Sequence, residues 1–306
     1  MQADDSQAYV VTNKDDDDPI LEYKNIETGH LAIDPAWVGR IPFLKATNSE
    51  LVAHSLHKIE EMRGKGARQS PQSAQIILPF DPYRYSWLRL RKIPKKVAQS
   101  SFINLPDGAG MLWLSKMQYQ PLPELVSVIR YSLSLIRLAQ AMNYTIFFVG
   151  SRDEVLEKLM VNLRRSFPTL RIVGRHSGKL KGANRERVFE ALRKTEPHII
   201  FLGLGYDNGV RWIHDHRDKL SNCLIINMAG ALDILAGVRK KAPDSVATNG
   251  YTWLWRVFNR PWRWHRIFLV FYMLIETIWL RLFRDPDDLK GAEPAAKVKK
   301  QKTKAS

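Results

Sequence analysis

The stretch YTIFFVGSRDEVLEKLMVNLRRSFPTLRIVG, residues 144–174, decides the fold. Tyr144–Val149 is a short apolar run rich in Ile, Val and Phe, which predicts a strand. Gly150-Ser151 interrupts it, Arg152–Ser166 predicts a helix, and Leu170–Val173 is a second short strand. The same alternation runs outward on both sides. Further strands are predicted at Gln75–Leu78, Ser101–Leu105, His198–Leu202 and Asn222–Asn227. Further helices are predicted at Glu50–Glu61, Tyr83–Ala98, Leu122–Met142, Ala183–Arg193, Asn208–Leu220 and Ala231–Ala236. Strands alternating with helices predict an α/β domain: a Rossmann-like parallel sheet with helices on both faces. Ligands of such sheets bind beyond the carboxyl ends of the strands, so the strand-to-helix turns are where chemistry is sought.

Four turns stand out. Leu105-Pro106-Asp107-Gly108-Ala109-Gly110 places Asp107 at the end of a strand, either as a general base or as the cap of the next helix. Gly108 and Gly110 there allow close approach to a ligand. Gly150-Ser151 opens a helix with capping-box spacing to Glu154, and free N–H groups at that helix start suit a phosphate. Gly203-Leu204-Gly205-Tyr206-Asp207-Asn208 resembles a dinucleotide fingerprint but has Asn208 where the third glycine belongs, which disfavours an NAD enzyme. Gly230 to Gly237 follows a buried strand and puts Asp233 in the first turn of a short helix, as a structural or a ligand-binding carboxylate.

Charge and composition narrow the partners. Among 306 residues, Lys+Arg number 47 against Asp+Glu 31, a net charge of +16 that suits an anionic partner. Cys223 is the single cysteine, and it fits a reducing compartment. The start of the chain, with Asp4, Asp5 and Asp15 to Asp18, lacks a signal-peptide pattern, so the protein is expected to stay in the cytosol. Residues 1–45 read as a largely disordered acidic segment, 46–250 as the Rossmann-like domain and 285–306 as a disordered basic tail. His176, His214 and His216 lack zinc-site spacing, and no metal site is predicted.

Residues 251–284 differ from the rest. Five of the nine tryptophans, Trp253, Trp255, Trp262, Trp264 and Trp279, fall among Arg256, Arg260, Arg263 and Arg266. The apolar run Ile267–Leu280 is shorter than the stretch of about 20 apolar residues that a bilayer span needs, and Glu276 interrupts it, which disfavours a spanning or re-entrant helix but leaves it as an alternative. A helix lying at a membrane interface is the reading taken. A core helix or an oligomer contact is the alternative. Nucleic acid is ranked below both, since a long aliphatic run has no use on a polynucleotide.

In order, FINLPDGAGMLWLSK, FFVGSRDEVLEKLMVNLRRSFPTLRIVG, HIIFLGLG, INMAGALDILAG, KKAPDS and WLWRVFNRP resemble the WecG/TagA/CpsF glycosyltransferases, over roughly residues 70–262. The resemblance implies a cytoplasmic enzyme, attached peripherally to the inner face of the cell membrane. Its implied reaction is inverting transfer of a sugar from a UDP-sugar to a polyprenyl-diphosphate-linked acceptor, without metal or cofactor, in surface-polysaccharide or exopolysaccharide synthesis. It implies Asp107 as the catalytic base. Ligand loops are implied at Gly108, Gly150, Ser151, Gly203, Gly205, Tyr206, Asp207, Gly230 and Asp233. Arg256, Arg260 and Arg263 are read as holding the acceptor's diphosphate. A homo-oligomer is admitted, and nucleic acid is not among the partners. The chain departs from the family pattern twice. Pro79-Phe80-Asp81 stands for Thr-x-Asn, and Gly209-Val210 stands for a Gln-Glu pair before Trp212. These departures keep a second reading open, a catalytically degenerate nucleotide-binding member that scaffolds polysaccharide assembly.

Overall fold

The structure, a computed structural model, describes residues 23–32, 35–64, 71–89, 91–178, 180, 183–239 and 265–283. Residues 1–22 and 285–306 and the segment holding Arg256, Arg260 and Arg263 lie outside the described residues.

A small antiparallel hairpin, β1 (Ala36–Val38) and β2 (Ile41–Phe43), precedes the main domain. Residues 1–45 therefore include an ordered element that was not expected: Ala36, Val38, Ile41 and Phe43 alternate into the core. The sheet proper has six strands: β3 (Gln75–Phe80), β4 (Ile103–Pro106), β5 (Thr145–Gly150), β6 (Arg171–His176), β7 (Ile199–Gly203) and β8 (Leu224–Asn227). All their pairings are parallel, in the order β4-β3-β8-β7-β5-β6. Each predicted strand is present, with its ends moved by at most three residues.

The helices are α1 (Asn48–Arg63), α2 (Pro82–Arg89), α3 (Lys92–Gln99), α4 (Ala109–Met117), α5 (Val128–Ala141), α6 (Asp153–Ser166), α7 (Ala183–Thr195), α8 (Tyr206–His216), α9 (Ala231–Leu235) and α10 (His265–Phe283). The capping box Thr47-x-x-Glu50 starts α1, with both reciprocal bonds made. The long helix expected over Tyr83–Ala98 is two helices, separated near Arg91. That expected over Leu122–Met142 begins only at Val128. Pro123 lies just before that start, and Ser127 caps the helix.

Strand alternation sends Ile77, Leu105, Ile146, Phe148, Phe201 and Ile226 to one face, under α1, α5, α6 and α9. It sends Ile76, Leu78, Phe80, Val149, Leu202 and Ile225 to the other, under α2, α3, α4, α7 and α8. The second core also takes in Met273 of α10. α10 packs along α2 and touches α4, so this helix is part of the domain rather than an appendage set apart from it. Among the described residues, no helix is long and apolar enough to cross a membrane.

Candidate functional site

Because the sheet is wholly parallel, the turns after β3, β4, β5, β7 and β8 all open on one edge. Two groups of residues form there.

The first is built from charged side chains. Asp107 follows β4 and is 8% exposed. Its backbone N–H donates to the Phe80 carbonyl at 2.7 Å, which ties the turn to the end of β3. The N-cap of α4 is Gly108, not Asp107. The carboxylate instead meets Arg84 of α2, whose Nη1 lies 3.3 Å from Oδ2. The same guanidinium has its Nε 3.5 Å from Asp81 Oδ2 and its Nη1 3.4 Å from the Pro79 carbonyl. Asp81 also accepts the Arg84 backbone N–H at 2.8 Å, as an N-cap does. Burial opposes the charge on Arg84, but the carboxylates of Asp81 and Asp107 hold it charged and raise its pKa. Arg84 further lies over the ring of Tyr206 at 4.9 Å. Tyr206 is thereby wedged among Arg84, Phe80 and Trp87. Its buried hydroxyl has no hydrogen-bond partner among the described residues, and burial pushes its pKa up.

The second group is built from backbone. Gly150 and Gly203 are register partners at the ends of β5 and β7. A Cβ at Gly150 would stand 2.8 Å from the Gly203 carbonyl carbon, and Gly150 has φ +80°, so only glycine suits this position. Ser151 was expected to cap the next helix with Glu154. It does not: the N-cap of α6 is Arg152, without a side-chain bond, and Ser151 Oγ donates to Asp233 Oδ1 at 3.0 Å. Ser151 thus joins the turn after β5 to α9, and the first N–H groups of α6 are left without a side-chain cap. Gly205 (φ +81°) starts α8 with nothing within 4 Å of a Cβ position, and Asp207 sits in that helix's first turn. At Gly230 a Cβ would meet Arg239 Nη1 at 2.9 Å, so this guanidinium lies over the turn after β8.

The structure therefore brings Gly150, Ser151, Gly203, Gly230 and Asp233 together, with Gly205, Tyr206 and Asp207 beside them. It joins Tyr206 to Asp107 through Arg84. Sequence reading missed Arg84 and Arg239. The i, i+3 spacing of Asp81 and Arg84 was the available signal for the first. Gly209 is also explained: a side chain there would strike the Asn227 amide, whose atoms lie 2.7–2.9 Å from its Cβ position. That amide is engaged inside the fold, donating to the Tyr206 carbonyl at 3.1 Å and accepting from Ala229 N–H at 3.1 Å. An open groove of about 450 Å³, lined by Glu157, Arg164 and Arg175, lies elsewhere, at the β6 edge of the sheet. Among the described residues, no three His, Cys, Asp or Glu side chains cluster as metal ligands would.

A parallel α/β sheet with glycine turns and a buried carboxylate at its carboxyl edge defines a Rossmann-like ligand-binding protein. The glycosyl transferase WecG/TagA/CpsF family matches residues 87–286, and the chain belongs to that family. It is similar to N-acetylglucosaminyldiphosphoundecaprenol N-acetyl-beta-D-mannosaminyltransferases. Identity is 28% to the Bacillus spizizenii protein over 171 residues, which are 56% of this chain and 66% of that one. The Bacillus subtilis protein is 26% identical over the same shares of both chains. The Staphylococcus aureus strain MW2 protein is 25% identical over 56% of this chain and 65% of its own. The matched region thus spans just under two thirds of these relatives.

Proposed function

We propose that the protein is an inverting glycosyltransferase that moves an N-acetylhexosamine or hexose from a UDP-sugar to a polyprenyl-diphosphate-linked acceptor in surface-polysaccharide synthesis. The observation that carries this reading is a buried carboxylate, Asp107, on the same carboxyl edge of the sheet as the glycine turns after β5, β7 and β8. An acceptor hydroxyl becomes an effective nucleophile when a carboxylate takes its proton as the new bond forms, and Asp107 is the carboxylate at hand. The donor's diphosphate suits the turns at Gly150-Ser151, Gly203–Gly205 and Gly230–Asp233. There α6 presents N–H groups and Arg239 adds a cation. The unpartnered Tyr206 hydroxyl is a donor that a ligand oxygen can complete. Gly108 and Asp207, at the starts of α4 and α8, are read as part of the same donor site. Arg256, Arg260 and Arg263 are proposed to take the acceptor's diphosphate, with geometry suited to guanidinium.

The relatives' names supply the sugar and the acceptor to try first, N-acetylmannosamine and N-acetylglucosaminyl-diphosphoundecaprenol; the UDP carrier is this reading's own choice. A panel of UDP-sugars with that acceptor, followed by transfer of label into the lipid phase, is the test. Transfer from one donor is the expected result. Tight UDP binding with no transfer to any acceptor would instead favour the scaffold reading, which the Gly209-Val210 departure supports.

The acceptor's lipid tail stays in a bilayer, so the active edge must come to a membrane. α10 offers the means. Its inner side carries Met273 and Thr277, 1% and 3% exposed. Its outer side carries Phe268, Phe271, Tyr272, Ile275, Ile278, Trp279, Leu282 and Phe283, all exposed and spaced three and four apart. Arg281 anchors the helix end, with its guanidinium 4.9 Å from the Tyr119 ring centroid. We place this outer side on the inner face of the cell membrane, at interfacial depth.

A further inference from the structure

Asp81, Arg84 and Asp107 form a buried chain of charges: two carboxylates with one guanidinium between them. Arg84 has N–O distances of 3.5 Å to Asp81 and 3.3 Å to Asp107, and its side chain is 12% exposed. α4 brings no charge in its first residues, α8 brings the neutral Tyr206 phenol, and Arg281 of α10 is engaged at Met117 and Tyr119. Two carboxylates crowded in one partly dry site hold a proton between them unless a cation separates them.

We infer that Arg84 is a positioning residue for Asp107, lying between its carboxylate and that of Asp81 and holding the Asp107 carboxylate at the carboxyl edge of the sheet. This rests on the reading of Asp107 as general base. Two carboxylates and one guanidinium give the triad a formal charge of −1. Arg84 also stacks on Tyr206, the first residue of the helix after β7. One side chain therefore fixes the proton-accepting group relative to the donor-side turn. A guanidinium is needed for this, since it must meet two carboxylates and a ring face at once.

The charge arithmetic yields an ordering that a merely structural role would not produce. The pKa governing Asp107 should be lowest in Asp81→Asn, where one carboxylate has the cation to itself. Wild type comes next, then the Asp81→Asn/Arg84→Met double variant, then Arg84→Met, where the two carboxylates lose the cation between them. Arg84→Met should stand about 1–3 pH units above wild type. Arg84→Lys should lie close to wild type in pH but lose kcat, because its single ammonium holds Asp107 less well.

Two measurements on the full chain read this. One is the acid limb of kcat/KM for sugar transfer. The other is a 13C-carboxyl NMR titration of Asp107, assigned through Asp107→Asn, which needs no substrate. The predicted order in both supports the inference. The order in the titration, with no transfer by wild type from any donor, leaves Arg84's role standing and sinks the enzymatic reading. Superimposable titrations of wild type and Arg84→Met overturn the inference. If Arg84→Met fails to fold, Asp81→Asn decides, since it must move the titration downward.

Discussion

The two ends of the carboxyl edge are built from different materials. At β3 and β4 the site is made of side chains: Asp81, Arg84 and Asp107 in contact, with Tyr206 against them. At β5, β7 and β8 it is made of backbone: Gly150 against Gly203, Gly205 open, and Ser151 bonded to Asp233. Proton transfer needs a titratable group held in one geometry, and only a side chain supplies one. A diphosphate needs many donors at close range, which bare backbone at helix starts gives without a Cβ in the way. The two ends should therefore fail in different ways.

Asp107→Asn should do the most damage. It keeps the size and the turn's hydrogen bonds while removing basicity, so kcat should fall by roughly 10²–10⁴. UDP affinity, measured by calorimetry, should not change. A near-normal kcat would erase the distinction between the two ends. Next comes the membrane face that brings the acceptor to the charged end. Replacing Phe268, Phe271, Ile275 and Leu282 together by Ser should lower binding to anionic vesicles by roughly 10²–10³, since a buried apolar side chain contributes about 1.5–3 kcal/mol when fully inserted and less at an interface. These residues point outward, so thermal stability should hold. This is a cleaner variant than removing α10, whose Met273 lies in the core. Unchanged vesicle binding would remove α10 from the membrane account.

Gly230→Ala probes the backbone end. Its Cβ would displace Arg239 Nη1, now 2.9 Å from that position, while the glycine's own backbone angle (φ −99°) suits alanine. UDP affinity should drop about tenfold, in keeping with one charge-assisted hydrogen bond of about 1.5–3 kcal/mol partly lost. The pH profile of transfer should not move. A shifted acid limb would couple the two ends more closely than the geometry does.

The smallest effect is a background to every acid-limb measurement. Burial first, then neighbouring cations, holds His54 and His198 at about 4, below the ordinary 6.5. The unfolded chain takes up protons that the folded one refuses. Stability is thus full above about pH 6.5 and falls as pH drops toward 4. Urea midpoints across that window should decline smoothly and equally in wild type and Asp107→Asn. A decline confined to one of them would place the titration at the site instead.

Much of this was legible in the chain. The run at Tyr144–Val149 and its five companions made the sheet, because short β-branched and aromatic segments between helices have few other ways to be buried. Gly150, Gly203 and Gly230 marked the turns, since backbone-lined crevices leave glycines in the sequence. Asp107 was legible as a carboxylate at a strand end, and the family resemblance gave it a role. Arg84 was not, because its partners are a helix cap and a residue 23 positions away, brought together only when β3 and β4 pair. Ser151 carried a correct capping-box spacing and a wrong partner. A local motif offers the backbone one hydrogen bond, and Asp233, 82 residues on, offered a stronger one.

The sequence by itself determined the alternation of strands and helices, the glycine turns, the basic charge and the aromatic, apolar C-terminal run. Each of these is a local property, set by side-chain type and period. Tertiary structure decided which turns meet, that Asp107 shares a cation with Asp81, that Asn227 fills the space beside Gly209, and which side of α10 remains open. Those are outcomes of parallel pairing between distant segments, and no period in the chain encodes them.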